Sequence, residues 1–525
     1  MIHSQWGDSG TVTVTSLQHA STVRPDPRSA TRPTAAPRAV RQVSPAAVAR
    51  LLGGWRAGGP AYVALADALR AAVLAGTLAP LTRLPSEREL AAALGVSRTT
   101  TSGAYSRLRD LGFLTSRVGS GTVTTLPRRA AAGLDGAPLR AGDAPAADPR
   151  ARRPDGRGAR RPGMPDAPGG AAIDLAQATP SATPALHDAY ARALEDLPGY
   201  LGTGGYAHFG ITPLREAIAA RYTARGVPTT ADQILVTTGA QQAIALLAQT
   251  FVGPRETAVV ESPTYYHALE PLRHAGGRVV GVPVGDVETL ATAVRRTRPR
   301  LVYLVPDFHN PTGATLSAEA RAAARDVADR YGVPVVGDET LTDLALDPGA
   351  EVPEPFAGDG ASPHVVTIGS ASKSFWGGVR VGWVRADAQV VRRLARVRQS
   401  ADIATPVLEQ LAVVELLARR EEILPERLDG LRARRDLLVD LVREAVPDWR
   451  VPVPAGGLCL WVDLGRPTAQ GLAAAAVAHG LLVTPGPVFT PDGSARDRVR
   501  LTFTREPEQL RDAADRLARA WAQVT

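Results

Sequence analysis

Val365-Val366-Thr367-Ile368-Gly369-Ser370-Ala371-Ser372-Lys373-Ser374-Phe375-Trp376-Gly377-Gly378-Val379-Arg380-Val381-Gly382-Trp383 decides the reading of this chain. Lys373 is the only lysine among 60 basic residues; the other 59 are arginine. Arginine serves wherever a charge, a carboxylate partner or a solvated surface is needed. It cannot serve as an amine nucleophile, whereas a lysine can once burial or a neighbouring cation lowers its pKa. A single leftover codon in an arginine-biased genome is the bland alternative, and the surroundings argue against it. A β-branched run enters a turn of small residues, presents the amine, and reaches an arginine seven positions on. The hydroxyls of Ser370 and Ser372 and the cation of Arg380 suit a phosphate close to that amine.

An amine beside a phosphate site suggests pyridoxal 5′-phosphate. Ser-x-Ser-Lys followed by Gly-x-Arg-x-Gly resembles the cofactor-lysine segment of fold-type I aminotransferases. The competing reading is the Ser-x-x-Lys of penicillin-binding proteins and β-lactamases, with Ser370 as nucleophile. That arrangement also needs a Lys-Thr-Gly element, and a chain with one lysine has none.

A length of 525 residues suggests two or three domains. The 44% hydrophobic content supports a substantial core, and with only 5% aromatics that core must rest on Ala, Val and Leu. One cysteine, Cys459, excludes an intrachain disulfide framework and suits the cytoplasm. No apolar run approaches a membrane span, and the N-terminus lacks the order of a signal peptide. Scattered histidines without His-Glu-x-x-His or Cys-x-x-Cys lead us to expect no metal. The net charge of +8 is uneven: residues 1–172 carry +12 and residues 173–525 carry −4. A basic front on a mildly acidic body suggests an anionic polymer bound at the front.

Residues 1–44, rich in Thr, Ser, Pro, Ala and Arg, read as a disordered tail. Residues 45–126 read as a compact unit. Leu65, Leu69 and Val73 share one face of a helix over Tyr62 to Leu74. Ser86 and Glu89 have capping-box spacing at the start of a second helix, which ends near Leu94-Gly95. Ser97 caps a third helix through Tyr105 and Leu108. Two short runs flanking Arg117-Val118-Gly119-Ser120 form a hairpin wing. This is a winged helix-turn-helix, which binds double-stranded DNA through the first residues of its last helix. Those are Arg98, Thr99, Thr100 and Thr101. Arg98 suits bidentate contact with guanine, and threonine offers a hydroxyl or a methyl. Arg88 and Arg117 suit phosphate, as does the wing turn at Gly119. Gly103 inside the helix costs about 1 kcal/mol relative to alanine, and flexing or close approach to DNA would account for it. Leu84-Pro85-Ser86-Glu87-Arg88-Glu89-Leu90 with Leu94-Gly95-Val96-Ser97-Arg98-Thr99-Thr100 closely resembles the GntR family of bacterial regulators.

Residues 127–172, of Pro, Gly, Ala, Arg and Asp, read as a flexible linker. From Ile173 strands alternate with helical stretches, which indicates an α/β domain over 173–525. Thr237-Thr238-Gly239-Ala240-Gln241 joins a strand to a helix. It reads equally as a phosphate cradle of free N–H groups or as a generic turn. The aminotransferase resemblance implies the remaining roles. Tyr265, two residues after Pro263, stacks on the pyridine ring. Asn310 of Asn310-Pro311-Thr312-Gly313 bonds the ring oxygen, and His309 is structural. Asp338 pairs with the pyridinium nitrogen. Arg500 binds an α-carboxylate, and Tyr206 reaches the phosphate in the other subunit. The family also has a tyrosine two or three residues after the aspartate. Here those positions hold Thr340, a weaker hydroxyl, and Leu341, so weak or no transaminase turnover is expected.

A winged helix joined to an aminotransferase-like domain resembles the MocR group of GntR regulators. The implied fold is a winged helix-turn-helix plus a fold-type I transferase: a mainly parallel sheet with a smaller C-terminal α+β domain. The implied assembly is a homodimer. The expected function is regulation of transcription at a DNA operator, with an amino acid, an amine or pyridoxal 5′-phosphate sensed through a Schiff-base lysine, Lys373. A working aminotransferase with a DNA-binding appendage is the alternative. A DNA-binding protein whose large domain only dimerises is a third reading, disfavoured by the intact set of Lys373, Asp338, Asn310 and Arg380.

Overall fold

The computed structural model describes residues 42–56, 60–74, 78, 82–117, 121–125, 172–349 and 352–524. The tail up to residue 41 and the linker up to residue 171 lie outside the described residues. Chain contacts divide the protein into two units, Met1–Gly136 and Ala137–Thr525. Among the described residues no helix is long and apolar enough to cross a membrane.

The first unit holds helices Pro45–Leu52, Ala61–Leu74, Glu87–Leu94 and Arg98–Asp110, then a hairpin of Leu114–Arg117 and Gly121–Thr124. Ser44 caps a first helix that the apolar pattern did not reveal. Leu65, Leu69 and Val73 are buried with Leu90, Tyr105, Leu108 and Phe113 in one core. The Ser86–Glu89 capping box forms in both directions, and Gly95 ends that helix in the left-handed conformation at φ 62°. Such a conformation strains any residue with a Cβ. Ser97 then accepts from the Thr100 N–H and starts the next helix. The Tyr105 hydroxyl donates to the Pro85 carbonyl at 2.8 Å, fixing one helix against the start of the other.

In the second unit seven strands form one sheet. Their spatial order is Ile234–Thr237, Gly382–Arg385, Val365–Ser370, Val335–Asp338, Leu301–Leu304, Thr257–Ser262, Arg278–Pro283. Only Gly382–Arg385 runs antiparallel to its neighbours. Both faces are covered, which is why these strands read as continuous aliphatic runs. Val259, Val302, Val335 and Val365 pack on one face. Ala258, Leu301, Val336 and Val366 pack on the other. The 26-residue helix Arg420–Ala445 leads to a smaller antiparallel sheet of Cys459–Asp463, Arg498–Thr502 and Thr484–Pro485. Leu438, Val442, Leu460, Leu501 and Leu517 form its separate core. In an open α/β sheet, ligands bind beyond the carboxyl ends of the strands. Asp338 and Ser370 are the last residues of their strands; Gly239 and Tyr265 follow theirs closely.

Candidate cofactor site and nucleic-acid interface

Lys373 lies on the one-turn helix Ala371–Ser374, directly after the strand ending at Ser370. The Ser370 hydroxyl accepts from the Ser372 N–H at 3.1 Å and donates to the Val381 carbonyl at 3.3 Å. Behind the turn, Ser374 donates to Asp343 at 2.8 Å, and Arg221 and Arg420 hold that carboxylate at 2.7 and 2.8 Å. Arg427 donates to the Lys373 carbonyl at 3.2 and 3.3 Å. The lysine is therefore presented from a clamped backbone. Its amine donates to the Ala178 carbonyl at 2.8 Å. Burial pushes the amine pKa down from 10.5 to about 8; the cations of Arg500 and Arg380 add to this and Asp338 opposes it. Losing water disfavours the charged amine, and nearby positive charge disfavours it further.

One cavity of about 430 Å³ collects Lys373, Asp338, Asn310, Tyr265, Ala240, Gln241, Ser370, Ser372, Thr340, Arg380 and Arg500. Asp338 is buried. It accepts from the Tyr303 hydroxyl at 2.6 Å and from the Thr340 N–H at 3.1 Å. Burial raises its pKa, opposed by the Tyr303 hydroxyl, by the hydroxyl and N–H of Thr340, and by Lys373. Arg500 is 2% exposed. It donates to Asn310 at 3.0 Å and to the Ala176 carbonyl, and lies 4.9 Å over the Phe489 ring. Burial raises the Tyr265 hydroxyl above the usual phenol range.

Gly239 has φ 79°, and the helix Ala240–Phe251 that follows has no side-chain cap. A Cβ on Gly239 would stand 2.5 Å from the Arg380 guanidinium, and one on Gly382 would meet the Gly239 backbone at 2.6 Å. Two glycines thus let Arg380 lie against the uncapped turn, where it donates to the Thr238 carbonyl at 3.1 Å.

The residues fit pyridoxal 5′-phosphate. The hydroxyl of Ser372, Oε1 of Gln241 and Nε of Arg500 are buried without a hydrogen-bond partner among the described residues. Unpaired buried polar groups are costly, so a ligand that satisfies them gains binding energy. Ser372, Arg380 and the Ala240 and Gln241 N–H groups are the donors a phosphate needs.

Tyr206 stands apart: it is 68% exposed and does not line this cavity. Leu341 does line it, so an apolar side chain occupies that part of the wall. Several residues of the site escaped the sequence reading. Tyr303 was legible only as strand, although it pairs in register with Val336, two residues before Asp338. His267 lines the cavity with its ring 4.0 Å from that of Tyr266. Ala176 and Ala178 contribute only main-chain carbonyls, for which no side-chain signal exists.

In the first unit, Arg88, Arg98 and Thr99 are exposed and Thr100 is half-buried. Thr99 and Thr100 share hydrogen bonds with the Ser97 hydroxyl at 2.7 and 2.8 Å. Thr101 is a correction. It is fully buried, and its hydroxyl donates to the Glu87 carbonyl at 2.9 Å and to the Arg98 carbonyl at 3.0 Å. A side chain on the inner face of the helix locks the two helices together and cannot reach a base edge. Gly103 also packs inward: a Cβ there would stand 3.2 Å from the Tyr62 ring. Close helix packing accounts for this glycine, rather than flexing or approach to DNA. Arg117 is the last residue of its strand, but its side chain, like the whole of Gly119, lies outside the described residues.

A parallel sheet carrying a lysine turn, with a winged helix ahead of it, defines a two-part class: a DNA-binding unit joined to a transferase-fold body. The chain belongs to the aminotransferase class I and II family, whose model matches residues 176–517. Residues 61–123 match the bacterial regulatory proteins of the gntR family. The arrangement is that of MocR-type regulators. The chain is 27% identical over 448 residues to the HTH-type transcriptional regulator YisV of Bacillus subtilis, covering 82% of this chain and 90% of that one. It is 32% identical over 334 residues to 2-aminoadipate transaminase of Thermus thermophilus, covering 61% of this chain and 81% of that one. Among solved structures it resembles LysN, the α-aminoadipate aminotransferase of Thermus thermophilus, complexed with N-(5′-phosphopyridoxyl)-L-leucine. The TM-score is 0.61 at 29% identity, over 67% of this chain and 92% of that one.

Proposed function

We propose that this protein regulates transcription at a DNA operator and senses pyridoxal 5′-phosphate, an amine or an amino acid through Lys373. One observation carries the reading. The cavity keeps a poised amine, Asp338, Asn310 and Arg500, yet Leu341 stands where a transaminase phenol is expected, on a chain that also carries a GntR unit. Pyridoxal 5′-phosphate, when bound, supplies an aldehyde that condenses with amines and a pyridinium ring that withdraws electrons.

The chain's residues divide the work. Lys373, partly neutral near pH 7, would offer the amine that holds the aldehyde. Asp338, oriented by Tyr303 and the Thr340 N–H, would keep a proton on the ring nitrogen. Asn310 would bond the ring oxygen and Tyr265 would stack on the ring. Ser370, Ser372, Arg380 and the Gly239-Ala240-Gln241 turn would hold the phosphate. The Arg500 fork binds an effector's α-carboxylate. Thr340 adds only a hydroxyl, so proton movement after binding falls to Lys373 alone and is slow.

In the DNA-binding unit Arg98 reads a base edge, while Arg88, Arg117 and the Gly119 turn position the duplex. Thr99 and Thr100 reach the DNA through their methyl groups, since their hydroxyls are engaged by Ser97. We further propose a cytoplasmic homodimer, with Tyr206 contributing to the partner's site. An effector changes DNA binding to the extent that it prefers one of two conformations.

The test titrates amines and amino acids into the holoprotein while the cofactor spectrum and DNA affinity are followed together. Spectral change coupled to altered DNA affinity, with little keto-acid product, is expected. Rapid multiple-turnover transamination would replace the sensor with an enzyme. A spectral change without any effect on DNA would leave the cofactor itself as the signal.

A further inference from the structure

Residues 173–525 carry −4 overall, yet one groove within them is basic. The groove, of about 580 Å³, lies at the start of the strands Leu301–Leu304 and Val365–Ser370, whereas the Lys373 cavity lies beyond strand carboxyl ends. Its walls include Arg298, Arg300, Arg393 and His364. Arg295 and Arg296 are exposed in the last turn of the adjoining helix Val287–Thr297. Four of the six residues from 295 to 300 are therefore arginine.

Of these cations Arg393 is held by its own contacts. Arg393 donates to the Thr250 carbonyl at 2.6 Å and rests 5.0 Å over the Phe251 ring. Arg298 caps its helix in the left-handed conformation, at φ 44°. The acids met here are Glu256 and the groove-lining Asp387. Glu256 pairs with Arg300 at 3.1 Å and accepts from the Gly253 N–H at 2.7 Å. Asp387 accepts from the Gln389 N–H at 2.8 Å as a helix cap. With Arg300 paired to Glu256 and Asp387 as the acid in its wall, the groove still keeps Arg298 and Arg393, which form no ion pair among the described residues.

We propose that this groove binds the phosphodiester backbone of double-stranded DNA, adding non-specific contacts to those of the winged helix. The inference rests on the DNA-binding reading above. Charge complementarity favours a polyanion, and the planar arginine fork suits phosphate. A chain already holding DNA through one unit presents flanking duplex to its other unit at high effective concentration. Weak contacts by several arginines then suffice. They carry no sequence information.

The experiment measures binding of the full-length holoprotein to a random-sequence 60-base-pair duplex across a salt series. Each phosphate contact contributes about 0.9 to the slope of log affinity against log salt. Arg298→Gln with Arg393→Gln should lower that slope by about 1.8. Arg466→Gln with Arg511→Gln, an equal loss of charge elsewhere on the unit, should change it much less. Retention of the bound cofactor's absorbance shows that each variant is folded. An unchanged slope in the groove variant, or equal falls in both pairs, overturns the proposal. Inhibition of wild-type DNA binding by polyglutamate that the groove variant escapes supports a polyanion groove. Capture of polyglutamate by the groove with no change in the DNA slope assigns it to an acidic protein and sinks the DNA reading. Failure of the wild type to bind any duplex would instead remove the DNA-binding function on which the inference stands.

Discussion

The poised amine makes a quantitative claim. With its pKa brought from 10.5 to about 8, Lys373 is neutral in about a tenth of molecules at pH 7. An ordinary lysine is neutral in roughly 3 of 10,000. The structure thus assigns Lys373 about a 300-fold advantage in reactive amine at pH 7. The perturbation is pH, applied to apoprotein capturing pyridoxal 5′-phosphate, with a free acetylated lysine as reference so that titration of the cofactor cancels. The capture rate relative to the reference should be greatest below about pH 8 and shrink steadily above it. Arg500→Gln removes the second largest cause of the shift, so its break should move upward. A constant ratio across pH 6 to 10 would refute the argument, because it would mean that the cavity does not perturb the amine. A break that ignores Arg500 would leave burial and Arg380 as the causes.

Three further outcomes follow from the same geometry. Lys373→Met should stabilise the apoprotein at pH 7 by up to about 3 kcal/mol, since the buried ammonium is a cost there. Between about 8 and 10.5 the unfolded chain holds a proton that the folded chain has released, so the wild type gains stability as pH rises and the gap in denaturant midpoint should close. Tyr303→Phe removes one of the donors to Asp338 and should weaken cofactor binding about ten- to a hundredfold, measured by equilibrium titration; unchanged affinity would mean that Thr340 alone suffices. Thr101→Val should destabilise the winged-helix unit by about 1–2 kcal/mol in thermal melts while leaving base preference intact. Arg98→Ala should instead cost about 1–3 kcal/mol on a preferred site alone, and the reverse pattern would restore Thr101 to the DNA surface.

Legibility in the sequence followed the kind of signal each residue sends. Helix caps are local, so Ser86, Glu89, Gly95 and Ser97 could be placed from spacing, and the structure has each of them at the expected helix end. Motif residues at strand ends were legible because the parallel strands of an α/β sheet deliver their carboxyl ends to one edge. Lys373, Asp338 and Asn310, far apart in sequence, therefore reach one cavity. Orientation around a helix was the harder step. Thr99, Thr100 and Thr101 are chemically alike, yet successive helical residues point about 100° apart, and the third turns into the core. Gly103 misled for a related reason: glycine suggests freedom, but here it admits a tyrosine ring from the neighbouring helix.

What remained hidden is what tertiary structure alone creates. Tyr303 becomes a partner of Asp338 only through parallel pairing of two strands whose register no local pattern states. The carbonyls of Ala176 and Ala178 meet Arg500 and Lys373 because the segment after Ile173–Asp174 crosses the cavity, and an alanine's carbonyl is the same as any other. These contacts bear on sensing. The guanidinium that an effector's carboxylate would engage is already held by the Ala176 carbonyl. A carboxylate must therefore offer Arg500 a better partner than that carbonyl does, and a charge-assisted pair supplies one. A simple amine forgoes that pair, so selectivity for amino acids rests on Arg500 and on the main-chain contact it would exchange.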